Sequence, residues 1–209
     1  MYHHGVSNKF EQESYVGFLR IMKDPVKLER LNVRMCGRFS LIQVKDLEKR
    51  FDFVQLEFEF EPRFNIAPSQ LVPVVVREND CNYLRMFRWG LIPSWAKDEH
   101  LGSKMINARG ETLGEKPSFR KSLEQKRCLV LADDETIHQR MPVILPADKE
   151  SLWLNVEASS SHDVQGLLTP YPSEQMVAFE VLPYVNSPSY EGPECLTLPR
   201  LKPVGFLGD

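Results

Sequence analysis

The stretch Met35-Cys36-Gly37-Arg38-Phe39-Ser40 divides this 209-residue chain into two unlike texts. Ahead of it, residues 1–34 carry mixed charge, one proline and a weak helical pattern, with no cap and no obligatory core face. They read as an extension, either disordered or the product of an upstream start, and residues 35–209 as one domain. Met35 with a small residue behind it has the form of a translation start whose initiator is trimmed, which would leave Cys36 first. An α-amine titrates at about pH 8 and a thiol at about 8.5, so both groups of a terminal cysteine are partly unprotonated at neutral pH. Such a 1,2-aminothiol condenses with an aldehyde to an imine, the thiol adds, and a five-membered thiazolidine closes. The alternative is an interior cysteine, buried and inert.

Working outward, Cys36 to Ile42 reads as a strand and Val44 to Phe51 as a short charged helix. Glu57 to Glu61 alternates acids with aromatics ahead of Pro62. Arg63-Phe64-Asn65-Ile66-Ala67-Pro68 reads as irregular backbone, because Pro68 forces an extended residue before it. The β-rich runs Leu71 to Arg77 and Cys81 to Trp89, separated by Glu78-Asn79-Asp80, predict a hairpin. Trp89-Gly90-Leu91-Ile92-Pro93-Ser94-Trp95 is a turn-rich loop whose tryptophans either plug a core edge or offer a surface for base stacking. A basic helix from Ser118 to about Lys126 precedes an apolar strand of the buried type, Cys128 to Ala132. The text then breaks at Asp133-Asp134-Glu135. Helices are expected over 146–155 and 162–168, a last strand over 175–183, and a proline-rich tail without period from Tyr184. These elements predict an α+β architecture: a strongly curved, barrel-like antiparallel sheet with peripheral helices.

The totals exclude several classes. With 42% hydrophobic residues the chain can bury one substantial core, and no run of about eighteen apolar residues exists to span a membrane. Residues 15–22 are apolar but broken by Arg20 and make a poor signal peptide. Cysteines at 36, 81, 128 and 195 form no C-x-x-C pair, which argues against zinc or a redox dithiol and for a reducing compartment, cytoplasmic or nuclear. No cofactor is implied. Net charge is -3, yet Arg85 to Arg127 holds ten Lys or Arg against five acids. That segment suits a short polyanion, although a solvated helix face explains the same count.

Three polar residues accompany Cys36 as chemical candidates. Asn107, between Met-Ile and Ala-Arg, orients a substrate oxygen or caps a turn. His138, with a reference pKa of about 6.5, moves protons at neutral pH or is a satisfied structural histidine. Arg109 and Arg140 can each grip a phosphate bidentately, or lie on the surface without a specific task.

Seven stretches, taken together, carry a family resemblance. They are MCGRFSL at 35–41, RFNIAPSQ at 63–70, WGLIPSWAKD at 89–98, INARGET at 106–112, FRKSLEQKRCLVLAD at 119–133, HQRMPVIL at 138–145 and VNSPSYEGPEC at 185–195. The chain resembles the SOS response-associated peptidase family, whose members shield abasic sites in single-stranded DNA. The resemblance implies that Cys36 forms a thiazolidine with the ring-opened abasic aldehyde. It implies that Asn107 positions cysteine and sugar, and that His138 serves the proton transfers. Arg38, Arg109 and Arg140 would hold phosphates, and Pro68 and Trp95 would wedge or stack at the lesion; phosphate contacts position a strand without reading its sequence. The family also carries a proposed peptidase activity, self-removal of residues ahead of the cysteine.

Two departures stand out. Thirty-four residues precede Met35, and a peptide-bonded nitrogen cannot form an imine. The family's Gly-Phe-Tyr-Glu-Trp-like strand, which carries its catalytic glutamate, is missing after Asp133, leaving Asp134 or Glu135 as the only nearby substitutes. A segment is therefore expected to be absent at 133/134, with sheet edges left open. Two further readings follow from these departures: an autoprocessing cysteine peptidase, and a truncated, catalytically inactive single-stranded DNA binder.

Overall fold

The computed structural model describes residues 16–20, 37–45, 47–54, 60–135, 142–172 and 181–197. The hairpin at its centre forms as the sequence predicts. Strands β4 (Leu71–Glu78) and β5 (Cys81–Arg88) pair antiparallel from Leu71 opposite Arg88 to Glu78 opposite Cys81. Asn79 and Asp80 alone close the turn, both with positive φ (48° and 63°), the left-handed pair that suits the twist of the flanking strands. Val72, Val74, Val75 and Val76 are all buried, so β4 is covered on both faces.

The four-stranded sheet has the order β1-β6-β4-β5, where β1 is Val16–Arg20 and β6 is Arg127–Leu131. β6 runs antiparallel to β4 but parallel to β1. The sheet is thus mixed, which corrects the purely antiparallel expectation, and part of the extension forms a strand where disorder was one expectation. A second sheet, β3-β2-β7, joins Arg63–Ile66, Phe39–Leu41 and Asp134–Glu135, all antiparallel. Arg63–Ile66 is therefore a strand, not irregular backbone. Pro68 restricts Ala67 alone, and the ladder ends one residue earlier. Among the described residues the two sheets do not close into a barrel.

Helices lie around the sheets: α1 (Leu47–Phe51), α2 (Pro117–Gln125), α3 (Ala147–Leu154) and α4 (Ser161–Gln165). α2 begins with proline at its first position, where the missing N–H costs nothing. α4 carries a capping box: Asp163 N–H donates to the Ser160 hydroxyl while the Asp163 carboxylate accepts from Ser160 N–H. Arg50 of α1 reaches the buried Glu150 of α3 at 2.7 Å. The expected last strand falls largely on residues outside those described; Pro183 itself opens a 3-10 turn, Pro183–Asn186, and a second follows at Pro193–Leu196.

One polar residue anchors the helical side of the core. Arg127, at the start of β6, is 1% exposed. Its guanidinium donates to the carbonyls of Trp153 (2.5 Å), Leu123 (2.9 Å), Asn155 (2.9 Å) and Ser159 (3.0 Å) and to the Ser159 hydroxyl (2.6 Å). It closes the ends of α2 and α3, whose last carbonyls have no helical partner. Burial pulls its pKa down and the Asp163 carboxylate pulls it back, but a guanidinium in this range remains charged.

Candidate functional site

Trp89 directly follows β5 and is half-buried. The ring packs against Phe39 with centroids 5.3 Å apart, and its indole N–H donates to the Ile106 carbonyl at 2.9 Å. Its carbonyl accepts from Ser69 N–H at 2.8 Å and its N–H donates to the Gln70 carbonyl at 2.9 Å. Three of these four partners sit beside a predicted site residue. Phe39 follows Arg38, Ser69 follows Pro68, and Ile106 precedes Asn107. One half-buried tryptophan therefore gathers Arg38, Pro68 and Asn107 from three separate stretches. Of the two readings of the loop tryptophans, Trp89 takes the core plug.

Trp95 takes the other environment, 62% exposed at the far end of the same loop. The loop folds back because Gly90 adopts φ 134° and lies against Gly102; a Cβ at Gly90 would sit 2.5 Å from the Gly102 carbonyl oxygen. Leu91 N–H donates to the Met105 carbonyl at 3.0 Å and extends the same contact. Asn107 and Arg109 are exposed on the connection between the 3-10 turns Glu99–Lys104 and Gly110–Thr112. Exposure suits groups that meet a polyanion.

Arg38 is held in place by backbone. Its Nη1 donates to the Gly37 carbonyl at 2.8 Å and its Nη2 reaches the Asn186 carbonyl at 3.4 Å, while burial pulls the guanidinium below its ordinary pKa. Asn186 belongs to the segment 181–197, which two residues fasten to β3. The Asn65 amide, fully buried, donates to the carbonyls of Ser187 and Tyr190, both at 2.8 Å. The Glu191 carboxylate accepts from Arg63 Nη2 (2.9 Å), Phe64 N–H (2.7 Å) and Asn65 N–H (3.1 Å). Burial alone would raise the Glu191 pKa; the bonds from Arg63, Asn65 and Phe64 outweigh it and hold it below the usual range. Asn65 and Glu191 carry no mark in the sequence beyond lying inside two of the quoted stretches.

Cys36, His138 and Arg140 lie outside the described residues. The ladder beside them is described. Phe39 is the partner of Glu135 and Ser40 the partner of Asp134 in an antiparallel pair. Asp133 fixes the turn into it, accepting from the N–H groups of Ile42 (2.5 Å) and Gln43 (2.7 Å) and donating its own N–H to the Ser40 carbonyl. No group of three His, Cys, Asp or Glu among the described residues is arranged to hold a metal ion.

Comparison with known proteins bears on this arrangement. A family model described as SOS response associated peptidase (SRAP) matches residues 35–134 and 135–188. The abasic site processing protein YoqW of Bacillus subtilis is 36% identical over 221 residues, covering 78% of this chain and 99% of its own. The abasic site processing protein HMCES of Mus musculus is 32% identical over 148 residues, 61% of this chain and 39% of its own. A crystal structure of a protein from Bacteroides thetaiotaomicron superimposes with a TM-score of 0.61 at 20% identity, covering 78% of this chain and all of that one.

Proposed function

This chain belongs to the SOS response-associated peptidase family, and on that premise we propose that it senses abasic sites in single-stranded DNA and crosslinks to them through Cys36. The α-amine of Cys36 attacks the aldehyde carbon of the ring-opened sugar and water leaves, giving an imine. The thiol sulfur then adds to the imine carbon, its proton passes to nitrogen, and the thiazolidine is closed. His138 carries protons in ring opening and ring closure, and Asn107 orients the sugar. Arg38, Arg109 and Arg140 hold the flanking phosphates, with Pro68 and Trp95 at the gap left by the lost base.

The observation that carries this reading is the pairing of Phe39 with Glu135. Cys36 lies three residues before Phe39 and His138 three residues after Glu135, and in an antiparallel pair both segments leave the sheet at the same end. Three residues reach at most about 10 Å, so chain connectivity keeps both within reach of that end of the ladder, which supports their acting together. Trp89 packs on that same Phe39 and brings Asn107 to it.

The absent segment is part of the proposal. The two blocks of the family match meet at 134/135. The alignment with YoqW runs 221 positions, although 78% of a 209-residue chain supplies far fewer. In the ladder Asp134 pairs with Ser40 and Glu135 with Phe39, and in this reading one of the two takes the part of the missing glutamate. A reducing, DNA-containing compartment fits the chemistry, and Cys81, Cys128 and Cys195 are all free. No described helix is long and apolar enough to cross a membrane.

The chemistry requires the bond between residues 35 and 36 to be open, whether by an internal start or by cleavage, which intact mass reads directly. Protein with a free Cys36 is incubated with an oligonucleotide bearing one abasic site and resolved on a denaturing gel. A shifted band that Cys36→Ala abolishes is expected; no band, or one that survives the substitution, overturns the crosslink. A second reading, a passive single-stranded DNA binder, is favoured by the folding of Val16–Arg20 into the sheet, which keeps residues in front of Cys36. It predicts binding that falls steeply with salt and ignores the lesion.

A further inference from the structure

The family match begins at residue 35, yet Val16–Arg20 is built into the sheet of the domain. We propose that this strand is a donor that completes the sheet in place of an interior strand, and that it stays on the sheet when the chain is cut before Cys36.

The ladder shows how much β6 depends on it. All five residues of β6 have partners in β1, from Arg127 opposite Val16 to Leu131 opposite Arg20. Only Leu129 and Val130 have partners in β4. Without β1, one whole side of β6 becomes an open edge. That edge would be unusually hazardous, because Cys128, Leu129 and Leu131 are each at most 2% exposed and β6 bears no outward charge to discourage pairing with another chain. An apolar strand covered on both faces is the signature of a sheet interior, not of an edge. β6 also leads directly into β7 at the place where the family match breaks, so a strand expected beside it is the kind of element a deletion there removes. A five-residue segment pairing in parallel needs only a long tether back to its own chain, and residues 21–38 supply one ahead of β2.

The consequence is that opening the 35/36 bond need not dismantle the fold. The leader becomes a non-covalent fourth strand, held by main-chain hydrogen bonds as in strand-addition complexes. The domain then carries a terminal Cys36 and a covered β6 together.

The test uses the full chain with a specific protease site in place of residues 29–35, so that cutting frees the α-amine of Cys36. After cutting, native size-exclusion chromatography followed by mass spectrometry should find the leader co-eluting with the domain and separating only in denaturant. A leader that leaves while the domain remains monomeric, with an unchanged urea midpoint, overturns the proposal. In the uncut chain, Phe18→Pro and Leu19→Pro between them remove an N–H aimed at β6. At least one should speed amide exchange across 127–131 by tenfold or more while 71–88 stays protected; no change in either overturns the pairing. The inference rests on the reading of Cys36 only for the position of the cut. Crosslinking by a domain that has lost its leader would sink the donor strand and leave the chemistry standing, and a retained leader without crosslinking would do the reverse.

Discussion

The two sheets share one apolar core, which takes in Phe39, Leu41 and Ile66 of the smaller sheet, but they differ in what else holds them. The four-stranded sheet is closed by apolar burial: Val74, Val75, Leu129 and Leu131 are at most 2% exposed, and Trp153 is fully enclosed behind them. The three-stranded sheet has three short strands and is fastened by polar side chains bonding to backbone, Asp133 to Ile42 and Gln43, Glu191 to Phe64 and Asn65, Asn65 to Ser187 and Tyr190. Apolar contacts tolerate small displacements because they are non-directional, whereas these bonds fix position to tenths of an ångström. Arg38, Pro68 and Asn107 gather on and beside the second sheet, around a tryptophan that follows a strand of the first.

The strongest way to break the contrast is at Arg127, the polar exception inside the apolar half. Arg127→Met removes the donor to four carbonyls and a hydroxyl, leaving buried acceptors that each cost about 1–3 kcal/mol. Unfolding in urea should show a loss of more than about 3 kcal/mol. A loss within error would mean that α2 and α3 are held by their apolar faces alone. Arg127→Lys should recover little, since an ammonium cannot span the fork.

Asn65→Ala is the corresponding cut in the second sheet, and its effect should be local. The carbonyls it releases belong to Ser187 and Tyr190, in an exposed segment where water can replace the amide. A local loss of about 1–3 kcal/mol is expected, read as faster amide exchange in 181–197 while that of β4 is unchanged. Because this segment supplies the Asn186 carbonyl to Arg38, crosslinking to an abasic oligonucleotide should also slow.

The same contrast governs what the sequence reveals. Leu71–Glu78 and Cys81–Arg88 are legible because runs rich in β-formers and an Asn-Asp turn between them are local signals, and Pro117–Gln125 because proline and a basic face announce it. Arg63–Ile66 is not, since its strand character comes from Phe39 and Leu41, more than twenty residues away, and its own residues point as readily to a loop. Asn65 and Glu191 act through bonds across more than 120 residues, which no local pattern encodes. Val16–Arg20 is hidden for a further reason: its partner Arg127–Leu131 lies over a hundred residues on and pairs in parallel. Of the site, Arg38, Pro68 and Asn107 are legible as types, but their gathering by Trp89 is a tertiary fact.

The two tryptophans of one loop sharpen the comparison further. Trp95→Ala should leave stability within about 0.5 kcal/mol, because a side chain 62% exposed has little burial to lose. Its affinity for single-stranded DNA should fall by about 1–3 kcal/mol if a base stacks there. Trp89→Ala should invert this pattern, losing stability first and DNA affinity only as a consequence. Equal effects of both substitutions on both readouts would dissolve the distinction between plug and platform.

The smallest expected effect is a pH response confined to the second sheet. Glu191 has a folded pKa below its ordinary value, so its contribution to stability is complete above the unfolded carboxylate pKa and is lost as pH falls through the folded one. The carboxylate is 36% exposed at its side chain, so solvent screens the gain and the change is modest. Acidification below the usual carboxylate range should therefore free the Phe64 and Asn65 amides to exchange while the β4–β5 hairpin, which closes without any buried carboxylate, keeps its protection. Glu191→Gln should remove that pH dependence and leave the two amides exchanging faster at every pH, since a neutral amide oxygen is the weaker acceptor. An acid response of equal size in both sheets would trace instead to global unfolding and would leave Glu191 no special part in fastening the segment that holds Arg38.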